Sequence, residues 1–212
     1  MKNIVILFLL ISPLSLFSQK IRFTVIGEPQ ISWMIPDRDD ITREGANMGL
    51  NAGLGMDIFF AQNYAFSTGI TLSNLGGKLS YKDSLRYNDV RIPAGSIISY
   101  KIQYLSVPLG LKFKTNEIGY ITYFANLGLN PMVRIKARAS DTEAILEKDN
   151  ILDEIKFFNI NYFILMGVEY SLGGSTAIIG GLGYSSGFTD VTSRGIDKIN
   201  INSLTIRIGI LF

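Results

Sequence analysis

SLTIRIGILF, residues 203–212, has two different sides when read as an extended strand. Leu204, Ile206, Ile208, Ile210 and Phe212 fall on one side, and Ser203, Thr205, Arg207 and Gly209 on the other. Alternation with period two marks a strand with one apolar face. Taken alone it suits the closing strand of a soluble sandwich as well as a strand that meets lipid, so the rest of the chain has to separate the two.

The same alternation recurs upstream, and helical periodicity is nearly absent after residue 19. It predicts strands over residues 20–34, 46–60, 64–81, 98–114, 119–139, 156–172, 175–191 and 198–212. The apolar sides are continuous, as in Met48, Leu50, Ala52, Leu54, Met56, Ile58 and Phe60. The opposite sides are mostly Gly, Ser, Asn and Thr, with isolated charges at Arg22, Glu28, Asp57, Lys112, Glu169 and Arg207. In the fourth strand Tyr100, Ile102 and Tyr104 sit on even positions, whereas Leu105, Val107, Leu109, Leu111 and Phe113 sit on odd ones. A phase slip with a bulge near Tyr104 or Leu105 is therefore expected.

The connections alternate in length. Residues 35–45, 82–97, 140–155 and 192–197 form longer polar links, while 61–63, 115–118 and 173–174 are tight turns. Membrane barrels show this pattern because long loops lie on one side of the bilayer and short turns on the other. The fold expected is all-β, an eight-stranded antiparallel up-and-down transmembrane β-barrel in the outer membrane of a Gram-negative bacterium. A soluble lipocalin-like ligand carrier is the alternative, but its water-facing sides would need far more Lys and Glu. Small polar residues suit the narrow interior of eight strands. Aromatic residues near strand ends, among them Trp33, Tyr64, Phe113, Tyr120, Phe158, Tyr170 and Phe188, suit girdles at the two membrane interfaces. SLTIRIGILF must then pair with the first strand, since an open edge in lipid leaves each unsatisfied backbone group costing several kcal/mol. Phe212 resembles the terminal aromatic that the barrel insertion machinery recognises, which makes it the expected insertion signal.

Composition narrows the function. With 47% apolar and 18% charged residues the chain folds, and a net charge of +2 gives no basic surface for nucleic acid. Cys is absent, which removes disulfides, thiolate nucleophiles and Cys-based metal sites. His is absent too, so there is no Ser-His-Asp triad and no imidazole base or ligand. A non-catalytic protein without a cofactor is expected. At the N-terminus, Lys2 precedes a short apolar run from Ile4, interrupted at Ser12 and Pro13. Its apolar length of about 14 residues falls short of the about 20 that a membrane helix needs. Residues 1–18 read as a signal peptide cleaved before Gln19, leaving residues 19–212 as the barrel domain.

One hairpin carries a finer pattern: YLSVPLGLKFKTNEIGYITYFANLGLN, residues 104–130. Through Tyr104, Leu105, Pro108, Leu109, Leu111 and Lys112 it resembles the PorT-like family of small outer-membrane β-barrels of gliding and type IX-secreting bacteria. The resemblance implies the fold and the outer membrane; an accessory role in type IX secretion or gliding is the sharper hypothesis, resting on the link of the family's name-giving member to that secretion system. It implies no catalytic residue.

Two features are candidates for function. The six charges on the small-residue sides either pair to plug the lumen or line a solute path, as in a small porin-like channel. The loop SDTEAILEKDNILDEIK, residues 140–156, is acidic, and Ile145, Leu146, Ile151 and Leu152 in it are expected to be displayed outside the membrane for an envelope or secretion partner. Outer-membrane lipid and the insertion machinery are the remaining expected partners.

Overall fold

The structure, a computed structural model, describes residues 20–87, 90–141, 149–193 and 198–212. The expected leader, residues 1–18, lies outside them. In chain order the strands are β1 (Ile21–Pro36), β2 (Ile41–Ala61), β3 (Tyr64–Tyr81), β4 (Leu85–Tyr87), β5 (Val90–Ile92), β6 (Ile97–Ser106), β7 (Leu109–Lys114), β8 (Ile121–Asp141), β9 (Asp149–Asn150), β10 (Phe158–Gly173), β11 (Thr176–Gly187) and β12 (Ile199–Leu211). β4 and β5 form a small separate hairpin in the link between β3 and β6. β6 and β7 are one stave interrupted at Val107 and Pro108, where proline removes a ladder donor. Counted so, eight antiparallel staves close into a ring, and β12 pairs with β1 as the opening alternation requires.

Residue register fixes the tilt of the ring. A path along paired positions runs from Ile21 through Ile58, Phe66, Leu111, Leu127, Ile164, Tyr184 and Leu204, and returns to β1 at Ile31, ten residues further on. A stagger of ten on eight staves corresponds to a tilt of about 40°. Ile21, Phe66, Leu111, Leu127, Ile164, Leu204 and Ile31 on this path are exposed. A soluble carrier would turn them inward, so that alternative is overturned. Aromatic side chains meet in two belts. Phe60, Tyr64 and Phe113 meet near the turn end at 6.2 and 5.6 Å between ring centres, and Trp33, Tyr184, Tyr162 and Phe188 meet near the loop end at 6.5, 6.4 and 5.2 Å. From Phe23 to Trp33, a rise of about 3.3 Å per residue at this tilt spans about 25 Å, the height of a lipid-facing apolar band.

β2, β3, β6 and β8 continue past the Trp33 belt, and there the polarity of the wall inverts. Leu79, Tyr81, Ile98, Tyr100, Ile102, Tyr104, Ala137 and Ala139 are buried inside, while Lys78, Lys101, Lys136 and Arg138 are exposed. The expected phase slip in the fourth stave does not occur. Even-numbered residues from Ile98 to Lys112 stay on the buried side throughout. The extra residue lies on the partner strand instead: Gln103 pairs with Lys136 and Tyr104 with Arg134, leaving Ile135 of β8 unopposed. Lipid solvates the wall below the belt and water above it, so on the fourth stave the apolar side crosses from outside to inside while the backbone keeps its phase, and on β8 the bulge at Ile135 shifts it.

Between Gly45 and Asn51, β2 leaves its ladder with β3. Side chains complete the seam. Asn47 Nδ2 donates to the Tyr100 carbonyl at 2.7 Å, the Gly76 amide donates to Ser32 Oγ at 2.8 Å, and Asn74 Nδ2 donates to the Leu50 carbonyl at 3.2 Å. Gly76 is required at this crossing, because a Cβ there would lie 1.9 Å from the Tyr100 carbonyl oxygen. The β10–β11 turn uses Gly173 and Gly174 at φ 101° and 65°, the left-handed region that side-chain-bearing residues avoid.

Candidate functional site

The lumen is filled in two different ways. At the turn end, inward positions of β1, β2, β7 and β10 bring charges together around Glu169. Lys112 Nζ lies 2.8 Å from Glu169 Oε1 and 2.5 Å from Asp57 Oδ2. Lys114 Nζ reaches Glu169 Oε2 at 2.5 Å, and Arg22 Nη1 reaches the same oxygen at 3.3 Å. Arg22 also donates to the Ser175 carbonyl in the β10–β11 turn at 2.9 Å, tying the network to the rim. Lys112 and Glu169 are each only 3% exposed. Charges removed from water this far cost several kcal/mol each unless paired. The aromatic rings of Phe124 and Phe59 lie 4.8 and 5.5 Å from the Lys112 and Lys114 ammonium groups, adding cation–π attraction. Deeper in, Arg207 pairs with Glu28, which also accepts from Asn51 Nδ2 at 2.5 Å.

Between these pairs lies a small cavity of about 90 Å³, lined by Glu28, Asp57, Lys112 and Arg207, by neutral polar residues such as Gln30 and Asn126, and by apolar ones such as Ile26. Phe124, Leu165, Ile179 and Phe163 narrow the lumen beside it.

At the loop end the lumen is apolar. Met34, Tyr100, Ile102, Tyr104, Met132, Ile199 and Ile201 from the staves pack with Ile151, Ile155 and Val191 from the loops into one buried cluster. Residues 149–155 are drawn into the mouth by β9, which pairs with β8, and by a 3₁₀ turn at Leu152–Glu154. The Ile151 amide donates to the Ala137 carbonyl at 3.2 Å, and Arg134 donates to the Ile155 carbonyl. Asp190 locks the two loops together, accepting from the amides of Ile199 and Thr192 at 2.9 and 3.1 Å and from Lys156 Nζ at 2.9 Å. Burial alone would raise its carboxyl, but the Ile199 amide, Lys156 and Thr192 outweigh that and hold it below the usual aspartate range.

The sequence profile of the outer membrane protein beta-barrel domain matches residues 17–193. The chain belongs to this family. Outer-membrane barrels carry their long loops outside and their short turns in the periplasm, so the charged network faces the periplasm and the apolar plug faces out. The protein resides in the outer membrane of a Gram-negative bacterium. Among solved structures, Neisserial surface protein A aligns over 92% of this chain and 98% of its own, at 12% identity and a TM-score of 0.54. OprG from Pseudomonas aeruginosa aligns over 90% and 94%, at 12% identity and 0.49. Ail of Yersinia pestis aligns over 90% and 98%, at 14% identity and 0.42. No curated protein matches the chain.

All six expected interior charges of this outer-membrane barrel lie on its lumen side. Arg22, Asp57, Lys112 and Glu169 converge, while Arg207 and Glu28 form a separate pair. Lys114 belongs to the network and was not among the expected residues, although Phe113 between it and Lys112 already put both lysines on one side. Arg134 and Asp190, which pin the loops, carried no periodic signal. Ile151 is corrected: it is 2% exposed and faces into the mouth, whereas Leu152 packs against the same cluster and stays partly exposed. Water on the far side of the loop drives Ile151 inward. Ile145 and Leu146 lie outside the described residues. Phe212 is 51% exposed on the lipid side, and its amide donates to the Phe23 carbonyl at 2.8 Å, closing the ring at its periplasmic rim.

Proposed function

We propose that this outer-membrane barrel is a sealed, non-catalytic component of the cell envelope, structural or interacting, and conducts no solute. The observation that carries it is the double closure of the lumen, by ion pairs at the periplasmic end and by a loop-fed apolar cluster at the outer end. Eight staves leave an interior that side chains fill, and here they fill it from both sides. Planar-bilayer recording with the refolded protein tests this directly. The expected outcome is no steady conductance above the bare bilayer, whereas ion-selective openings altered by Glu169→Gln would make it a channel.

A more specific role, accessory to type IX secretion or gliding, is supported by the resemblance of residues 104–130 to PorT-like barrels. Secretion components that co-purify with the wild-type protein, and are lost when residues 142–148 are replaced by Gly and Ser, would support it. Absence of any such component in wild type would remove it. Phe212 acts in this account as the signal read by the insertion machinery, and Phe212→Ala is expected to slow assembly into the membrane in vivo more than it lowers stability of the refolded barrel.

A further inference from the structure

One cluster of cations on the outside of the barrel takes part in neither plug. Lys78 on β3, Lys101 on β6, and Lys136 and Arg138 on β8 are exposed on the wall above the Trp33 belt. Lys101 and Arg138 occupy directly paired positions, and Lys136 pairs with Gln103 two residues along. Like charges directly opposite one another destabilise a sheet. Among the described residues, none of the four is in a salt bridge. Of the acids near them, Glu44 on β2 accepts from Ser80 Oγ at 2.7 Å, Asp141 lies three residues beyond Arg138 on β8, and Asp149 of β9 pairs opposite Ala139. The repulsion between Lys101 and Arg138 is thus not offset by an ion pair within the described chain, and an anion is what would offset it.

The surface beneath these cations is shaped to hold one. Where β2 leaves β3, the seam forms an outward notch of about 350 Å³ lined by Asn47, Met48, Asn74, Lys101, Lys136 and Arg138. Met48 at its lower edge is 87% exposed and belongs to the lipid-facing side of β2. The height of the notch follows from the tilt. Each step to the next stave climbs about 3 Å, so the level of Trp33 crosses β6 near Tyr104 and β8 near Arg134. Lys101, Lys136 and Arg138 then stand roughly 5–10 Å further out, at the depth of the outer-leaflet headgroups.

We propose that this notch binds the phosphorylated headgroup of an outer-leaflet glycolipid. Its phosphate lies between Lys101, Lys136 and Arg138, with the Arg138 guanidinium able to grip two oxygens at once, and an acyl chain runs down over Met48. Asn74 and Gln103 supply neutral donors to the sugar. The site is independent of whether the lumen conducts.

The test is binding of purified lipid A to the refolded full barrel in detergent, followed by native mass spectrometry and by the shift in unfolding temperature. Wild type is expected to bind bisphosphorylated lipid A at least about tenfold more tightly than its dephosphorylated form, since each basic residue near an anionic headgroup contributes up to about fivefold. The triple variant Lys101→Gln, Lys136→Gln, Arg138→Gln is expected to lose that preference while keeping its heat-modifiable migration on gels. Lys101→Arg with Lys136→Arg, a charge-preserving control, is expected to retain it. Equal binding of the two lipid forms by wild type, or an unchanged preference in the triple variant, would overturn the proposal. So would inorganic phosphate alone competing fully at the same concentration, because the notch would then be a site for a free anion and not for a lipid headgroup.

Discussion

The periplasmic and outer halves of this barrel bury their interiors by opposite chemistry. Below the Trp33 belt the wall is apolar outside and the lumen holds Lys112, Asp57, Glu169 and Arg22 in mutual contact. Above it the wall is charged outside and the lumen holds Tyr100, Ile102, Ile151 and Ile155. The solvent outside the wall decides which kind of side chain is left for the inside. Where lipid takes the apolar face, the interior must be polar and must satisfy itself by pairing. Where water takes the outer face, the same strands revert to the ordinary soluble arrangement, apolar within.

That contrast predicts how each half fails. The largest effect is expected at the periplasmic network, where Glu169→Ala leaves Lys112, Lys114 and Arg22 crowded without their shared acceptor. Removing one partner of a buried pair costs about 3–5 kcal/mol, readable as a lowered urea midpoint in reconstituted vesicles. A loss under about 1 kcal/mol would mean that water screens these charges and that the lower lumen is open. Ile155→Ala in the outer plug should cost about 2–5 kcal/mol by opening a cavity. It should also raise hydrogen exchange of residues 149–157 while leaving the periplasmic turns protected. If both ends loosened together, the two plugs would be one cooperative unit. Smaller again is the seam between the halves: Asn47→Ala strips the Tyr100 carbonyl of a buried donor, and about 1–3 kcal/mol is expected from the same denaturation.

The smallest effect is at Asp190, where Asp190→Asn is expected to cost about what one hydrogen bond contributes, about 1 kcal/mol, and it depends on pH. The folded carboxyl titrates below its unfolded value near 3.9. Its contribution is therefore fully present above about pH 4 and lost as the pH falls through the folded value. Wild type and Asp190→Asn should differ at pH 7 and converge in acid. A difference that grew in acid would reverse the assigned direction.

The periplasmic half was legible in the sequence because its two faces differ in kind. Isolated charges such as Arg22, Asp57 and Glu169 stand out among Gly, Ser and Asn, and the alternation of SLTIRIGILF gives both the lipid side and the need to close on β1. In the outer half, the stretch from Ile98 to Phe113 hides its true phase. Tyr100, Ile102 and Tyr104 on even positions, followed by Val107, Leu109 and Leu111 on odd ones, look like a one-residue slip. A change of solvent along a stave that keeps its inward and outward phase, even across the interruption at Val107 and Pro108, produces the same pattern. Ile151 was misplaced for a related reason: an apolar residue in a polar loop reads as display until the cluster that receives it is known. The seam at Asn47 depends on a register shift between β2 and β3, which neither strand's own pattern encodes.

The inversion of polarity at the Trp33 belt is the claim on which both plugs rest, and the absence of Cys from the chain makes it directly measurable. Single-Cys variants at successive positions from 98 to 113, spin-labelled and reconstituted in bilayers, would be scanned for collisions with a lipid-soluble and a water-soluble relaxant. Odd positions from 107 to 113 should respond to the lipid-soluble agent, odd positions from 99 to 103 to the water-soluble one, and even positions from 98 to 104 to neither. Lipid-soluble collisions at Tyr100, Ile102 and Tyr104 would contradict the account, because they would restore the phase slip and empty the outer lumen of its plug.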